Sequence, residues 1–104
     1  PERDASLIEE KGVITEAQAS KTISPVYPRI SRRRGEEGVV VISVQILANG
    51  KVDSIKIIKS SGYQRLDKAA QNAAWATLFT PAKRLGQNVD SSTELSFAFR
   101  LTDD

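Results

Sequence analysis

The sequence predicts an α+β domain: a three-stranded antiparallel sheet in the order 3-1-2, covered on one face by a long helix, with a short N-terminal helix before it. Three observations carry this. Two β-branched runs flank Asn49-Gly50, a helix-compatible stretch of small residues extends from Tyr63 toward Pro81, and an alternating segment, Glu94 to Leu101, lies near the end of the chain.

Residues 1–24 show weak periodicity, with Leu7, Ile8, Val13 and Ile14 separated by Glu, Lys and Gly12. A helix there would be marginal, so a linker or flexible tail is expected. Ser24-Pro25-Val26-Tyr27-Pro28 favours extended backbone before each proline and opens a domain spanning 25–104. Pro28 suits the first turn of a short helix that Gly35 would end, with Tyr27 and Ile30 turned inward and Arg29, Arg32, Arg33 and Arg34 left wet.

Asn-Gly between β-branched runs predicts a hairpin, because a type I′ turn needs positive φ at both central residues. A two-residue loop sets Ile42, Val44 and Ile46 opposite Ile57, Ile55 and Asp53 on one face, and Ser43 and Gln45 opposite Lys56 and Ser54 on the other. The apolar face needs a cover. Ser61 with Gln64 three residues on reads as a capping box for a helix from about Tyr63 to Phe79, whose stripe of Leu66, Ala69, Ala70, Ala73 and Thr77 allows close approach to the sheet. Trp75 falls off that stripe. In the third strand Leu95, Phe97, Phe99 and Leu101 face one way, and a helix of this length returns the strand beside the first one, as a sheet edge.

Composition narrows the function classes. The 104 residues are 39% hydrophobic, enough for a core and too apolar for wholesale disorder. The absence of Cys and His removes thiol nucleophiles, disulfides, zinc sites of the usual kind and the commonest general base, and no cofactor is expected. Asp53, Asp67 and Glu94 are scattered, and neither a Gly-rich phosphate loop nor a nucleophile elbow is present, so an enzyme is not expected. The net charge of +2 is uneven: acids outnumber bases in residues 1–24, and the arginines after Pro28 meet Glu36 and Glu37 at once. A nucleic-acid module is the weaker alternative, since the hairpin carries Val and Ile where an RNA-binding sheet would show stacking aromatics. A chain beginning at Pro1 without Met reads as a piece of something longer.

Taken in order, Tyr27-Pro28, Gly38-Val39, Asn49-Gly50-Lys51-Val52, Leu66-Asp67, Phe79-Thr80-Pro81-Ala82 and Phe99-Arg100-Leu101 resemble the C-terminal domain of the TonB family over about residues 25 to 101. The family's common tryptophan, two residues before the aromatic at Phe79, is here Thr77, and Trp stands at 75. The resemblance implies a periplasmic domain, anchored to the inner membrane in the full-length protein and working with an ExbB and ExbD type motor. It further implies binding to the TonB box of a TonB-dependent outer-membrane receptor, transmitting proton-motive-force energy for import of iron-siderophore, haem or cobalamin. A general TonB and a dedicated paralogue such as a HasB-type haem-uptake protein share this description, and a TolA-like scaffold domain of another envelope-spanning machine is the alternative.

An edge strand offers unpaired N–H and C=O groups on which an extended peptide can pair. The candidate partner-binding residues are therefore Glu94, Ser96, Ala98 and Arg100 on the third strand. Ser24, Val26, Tyr27 and Pro28 join them because the resemblance places their segment near the receptor, although packing within the fold is the simpler reading of Tyr27 and Pro28. The same edge is open to a homodimer.

Overall fold

The computed structural model describes residues 14–21 and 23–101. In chain order the elements are β1 (Ile14–Thr15), β2 (Gln18–Lys21), α1 (Arg29–Arg34), β3 (Gly38–Ile46), β4 (Val52–Lys59), α2 (Gln64–Ala76), β5 (Leu78–Thr80), β6 (Ala82–Arg84), β7 (Gln87–Val89) and β8 (Ser91–Phe99). The principal sheet is antiparallel in the order β4-β3-β8, so the third long strand lies beside the first as the chain reversal by the helix predicts.

β3 is central because both its edges are paired and its β-branched residues alternate across the pleat. Val40, Ile42, Val44 and Ile46 are at most 1% exposed. Ile42 lies opposite Ile57 on one side and Leu95 on the other, and Val40 lies opposite Phe97. Leu66, Ala70, Ala73 and Ala74 of α2 cover this face. The alanines let the helix sit close, and each large β3 side chain so buried contributes about 1.5–3 kcal/mol relative to exposure.

The hairpin differs from expectation at its tip. Gly50 has φ of 87°, but Asn49 does not have positive φ, so a type I′ loop is not formed. Gly50 N–H donates to Leu47 C=O (2.8 Å), and Leu47 N–H donates to Lys51 C=O (2.9 Å). This is a three-residue loop closed by a left-handed glycine. Consequently Ile46 opposes Val52, and the ladder skips Asp53, while a second irregularity skips Ile58.

The long helix also departs at both ends. Its N-cap residue is Tyr63, without a side-chain cap bond. Ser61 instead accepts the Tyr63 N–H (3.1 Å) and donates through Oγ to Asp67 (2.7 Å). The helix stops at Ala76 because Thr77 is extended (φ −70°, ψ 137°), its hydroxyl donating back to Ala73 C=O (2.9 Å). Phe79 thereby belongs to β5. In α1, Ser31 is fully buried and Ile30 is 45% exposed, reversing the expectation for Ile30, while the four arginines are exposed as expected.

The expected linker carries strands where it is described. β2 pairs with β5 (Ala19 opposite Phe79), and β1 pairs with β6, which forms a hairpin with β7. All six residues of β1 and β2 expose their side chains, so main-chain pairing holds them without an apolar pattern. The rest of that expectation, residues 1–13 and 22, lies outside the described residues.

Candidate functional site

The two edges of the principal sheet are unlike. β4 carries Asp53, Lys56 and Lys59 and two register shifts, features that blunt an edge against pairing. β8 keeps unbroken register with β3 from Gly38 opposite Phe99 to Ile46 opposite Ser91. Among the described residues β8 pairs with β3 alone, and between Glu94 and Arg100 it holds no charge. Its outer side is therefore a flat, regular edge bearing unpaired main-chain groups at alternate residues.

Glu94, Ser96 and Ala98 are exposed on the sheet face away from α2, because Leu95, Phe97 and Phe99 turn toward the core. Arg100 lies one residue past the strand, since β3 begins at Gly38 and offers no partner beyond Phe99. There Leu101 N–H donates to Glu37 Oε2 (2.7 Å).

The Pro-rich segment runs beside this edge. A groove of about 220 Å³ is lined by Ile23, Ser24 and Pro25 on one side, Leu95 to Ala98 on the other, and Thr77. The structure thus brings Ser24 together with Ser96 and Ala98, and separates Arg100 from them. Val26 is 81% exposed and, with Pro28, lines a second and larger groove against α2. Ile23, Pro25 and Thr77 were not among the partner-binding candidates read from the sequence. Pro25 had a signal in the Pro-x-x-Pro spacing, and Thr77 stood out only as a helix-stripe residue at the position of the family's common tryptophan, its place in the groove hidden until the helix end is known.

Tyr27 is built into the fold. Its ring meets Phe99 edge-on with centroids 5.3 Å apart, Arg32 lies 5.1 Å over its face, and its hydroxyl donates to Glu36 C=O. Burial pushes the phenol pKa up, Glu37 and Glu36 add to that, and Arg32 opposes it. Pro28 is the N-cap residue of α1, extended at φ −62° and ψ 138°. Tyr27 thus ties the segment that begins at Ser24 to β8 through Phe99, and Pro28 joins that segment to α1.

Among the described residues no group of three or more Asp or Glu side chains is placed to hold a metal ion, and no helix is long and apolar enough to cross a membrane.

Known proteins resemble this arrangement. The family pattern described as "Gram-negative bacterial TonB protein C-terminal" matches residues 23–101. Protein tonB2 of Pseudomonas aeruginosa is 40% identical over 78 residues, which cover 75% of this chain and 29% of that protein. Protein TonB of Neisseria meningitidis serogroup C is 52% identical over 50 residues, 48% of this chain and 18% of its own length. The solution structure of the Pseudomonas aeruginosa TonB CTD aligns with a TM-score of 0.70 at 26% identity, covering 86% of this chain and 90% of that one. The Helicobacter pylori TonB-CTD aligns at 0.57 and 30% identity, over 77% and 72%. The chain spans less than a third of the length of these two curated relatives.

Proposed function

Because the chain belongs to the TonB C-terminal domain family, which is not a family of enzymes, we propose that it is the receptor-coupling domain of a periplasmic energy transducer. It binds the TonB box of a TonB-dependent outer-membrane receptor by adding that segment as a further strand on β8. Upstream parts of the full-length protein anchor it to the inner membrane and connect it to an ExbB and ExbD type motor. The energy so delivered serves import of iron-siderophore, haem or cobalamin, by a general TonB or a dedicated paralogue of the HasB type. Ser24, Val26, Ser96 and Ala98 flank the incoming strand, Glu94 and Arg100 stand at its two ends, and Tyr27 and Pro28 position the Ser24 segment.

The observation that carries this reading is the contrast between edges: β8 is regular and uncharged between Glu94 and Arg100, while β4 is bulged and lysine-bearing. Each added main-chain hydrogen bond contributes about 0.5–1.5 kcal/mol net, so a short strand gives modest affinity after its ordering cost. A transient coupling needs no more.

The test is a backbone amide NMR titration of the chain with peptides from receptor N-terminal segments, with a scrambled peptide and a short oligonucleotide as controls. Saturable shifts along Thr93 to Leu101 and Ser24 to Pro28 are expected. Silence there, with oligonucleotide shifts at Arg29 to Arg34, would replace the reading with nucleic-acid binding. Shifts at β8 that grow with protein concentration alone would assign the edge to a homodimer.

A further inference from the structure

The segment around Ser24 divides two grooves. On its β8 side lies the edge groove, and on its other side lies a groove of about 560 Å³ between Val26, Pro28 and the α2 residues Ala69 and Ala73. Ile23, Ser24 and Pro25 line both, so the two are separated by a single strip of chain. The larger groove is apolar at its floor. Among the described residues its charged lining is Arg65 and Lys68, one helical turn of the same face, with no acid among them. Arg65 also reaches Glu36 Oε2 at 3.7 Å. Glu36 is 7% exposed and is not part of the lining, so among the described residues no carboxylate stands beside Lys68 in the groove.

We infer that this groove is a second contact for the bound segment, taking an acidic residue and a neighbouring apolar residue from the chain that continues past the added strand. This rests on strand addition at β8. The apolar side chain covers Val26, Ala69 and Ala73, and the carboxylate faces Lys68 and Arg65 across the rim. Continuity through the shared wall makes the second contact intramolecular once the strand is paired, so little further entropy is lost. Exposed ion pairs of this kind contribute modestly and are screened by salt. The groove therefore selects among receptor segments by their flanks more than it adds grip.

The experiment compares five peptides by amide NMR titration of the 104-residue chain: a receptor-derived strand segment alone, and the same segment with an Asp-Leu or a Lys-Leu extension placed at one end or the other. The strand segment alone shifts β8. The Asp-Leu extension at one end adds shifts at Val26 and Lys68 to Ala73 and tightens binding roughly three- to five-fold at low salt, a gain that fades as salt rises. Lys68→Glu reverses the preference toward the Lys-Leu extension and leaves the unextended peptide's affinity unchanged. If β8 shifts while Lys68 to Ala73 stay silent with every extension, this inference falls and the receptor-coupling reading stands. If the unextended peptide fails to shift β8, both fall. Shifts in Lys68 to Ala73 that grow with protein concentration in the absence of peptide assign the groove to a second copy and overturn the inference.

Discussion

Asp67 shows how one side chain holds a junction. Burial alone would raise its pKa, but hydrogen bonds from the Ser60 hydroxyl and from the Ser61 N–H and hydroxyl outweigh this and hold the carboxyl below its ordinary value of 3.8. A folded-state pKa below the unfolded one means stability that is present above the unfolded value and lost as pH falls through the folded one. Urea unfolding of Asp67→Ala at neutral pH should therefore show a loss of about 1–3 kcal/mol, and the gap from the parent chain should shrink on acidification below the ordinary carboxylate range. A gap independent of pH would mean that the charge contributes nothing. Gly50 is constrained differently: its φ is 87°, and a Cβ there would overlap the Phe79 carbonyl oxygen. Gly50→Ala should lower stability by about 2–4 kcal/mol in the same assay, since both backbone strain and a backbone clash must be relieved. An Ala variant within 0.5 kcal/mol of the parent, about the effect of a neutral surface change, would contradict the tight approach of this turn to β5.

At the scale of elements, legibility follows the apolar pattern. The β3–β4 hairpin, α2 and β8 were legible because each buries one face of a periodic run, and the edge position of β8 followed from chain reversal. Glu94, Ser96 and Ala98 were legible as the outward residues of that alternation. β1 and β2 were not, because all their side chains are exposed and only main-chain pairing holds them. β5 to β7 are three residues each, shorter than any periodicity, and the ends of α2 depend on hydroxyls at Ser61 and Thr77 whose partners are set by the tertiary fold. The register error at the hairpin tip has one cause, the turn type, which Asn-Gly alone does not decide. Tyr27 joins elements that the sequence leaves separate. Its ring packs on Phe99 of β8, and its hydroxyl reaches the Glu36 carbonyl after α1. Tyr27→Phe should cost about 0.5–1.5 kcal/mol through the hydroxyl alone, and Tyr27→Ala about 3–5 kcal/mol through the lost ring. If Tyr27 positions the Ser24 segment, Tyr27→Phe should fold fully and retain most receptor-peptide affinity, whereas Tyr27→Ala should weaken it even where thermal unfolding shows the domain folded. Equal affinities for all three would assign Tyr27 to stability alone.

At the scale of the whole molecule, the proposed coupling role makes the path of a pull through the chain matter more than equilibrium affinity. Among the described residues, tension entering at Ile14 meets β1 and β2 before the rest, short exposed strands paired there to β6 and β5 alone, and then the Tyr27 anchor on Phe99. The first two have little apolar burial to oppose opening, whereas β8 is held along its full length by β3. A receptor strand added on β8 shares the load among all its rungs when pulled along the strand axis, and takes it one rung at a time when pulled from the near end. Single-molecule pulling between a handle at Ile14→Cys and a bound receptor peptide should thus give two events. The first is a low-force lengthening of up to about 3 nm as residues 14–23 peel away, given roughly 3.3 Å per extended residue. The second is rupture of the peptide, at higher force when the peptide handle lies at the end that loads the strand in shear than when it lies at the other end. Equal rupture forces for the two handle positions would rule out load sharing along β8, and a first event that required forces as high as rupture would show β1 and β2 to be integral to the load-bearing core.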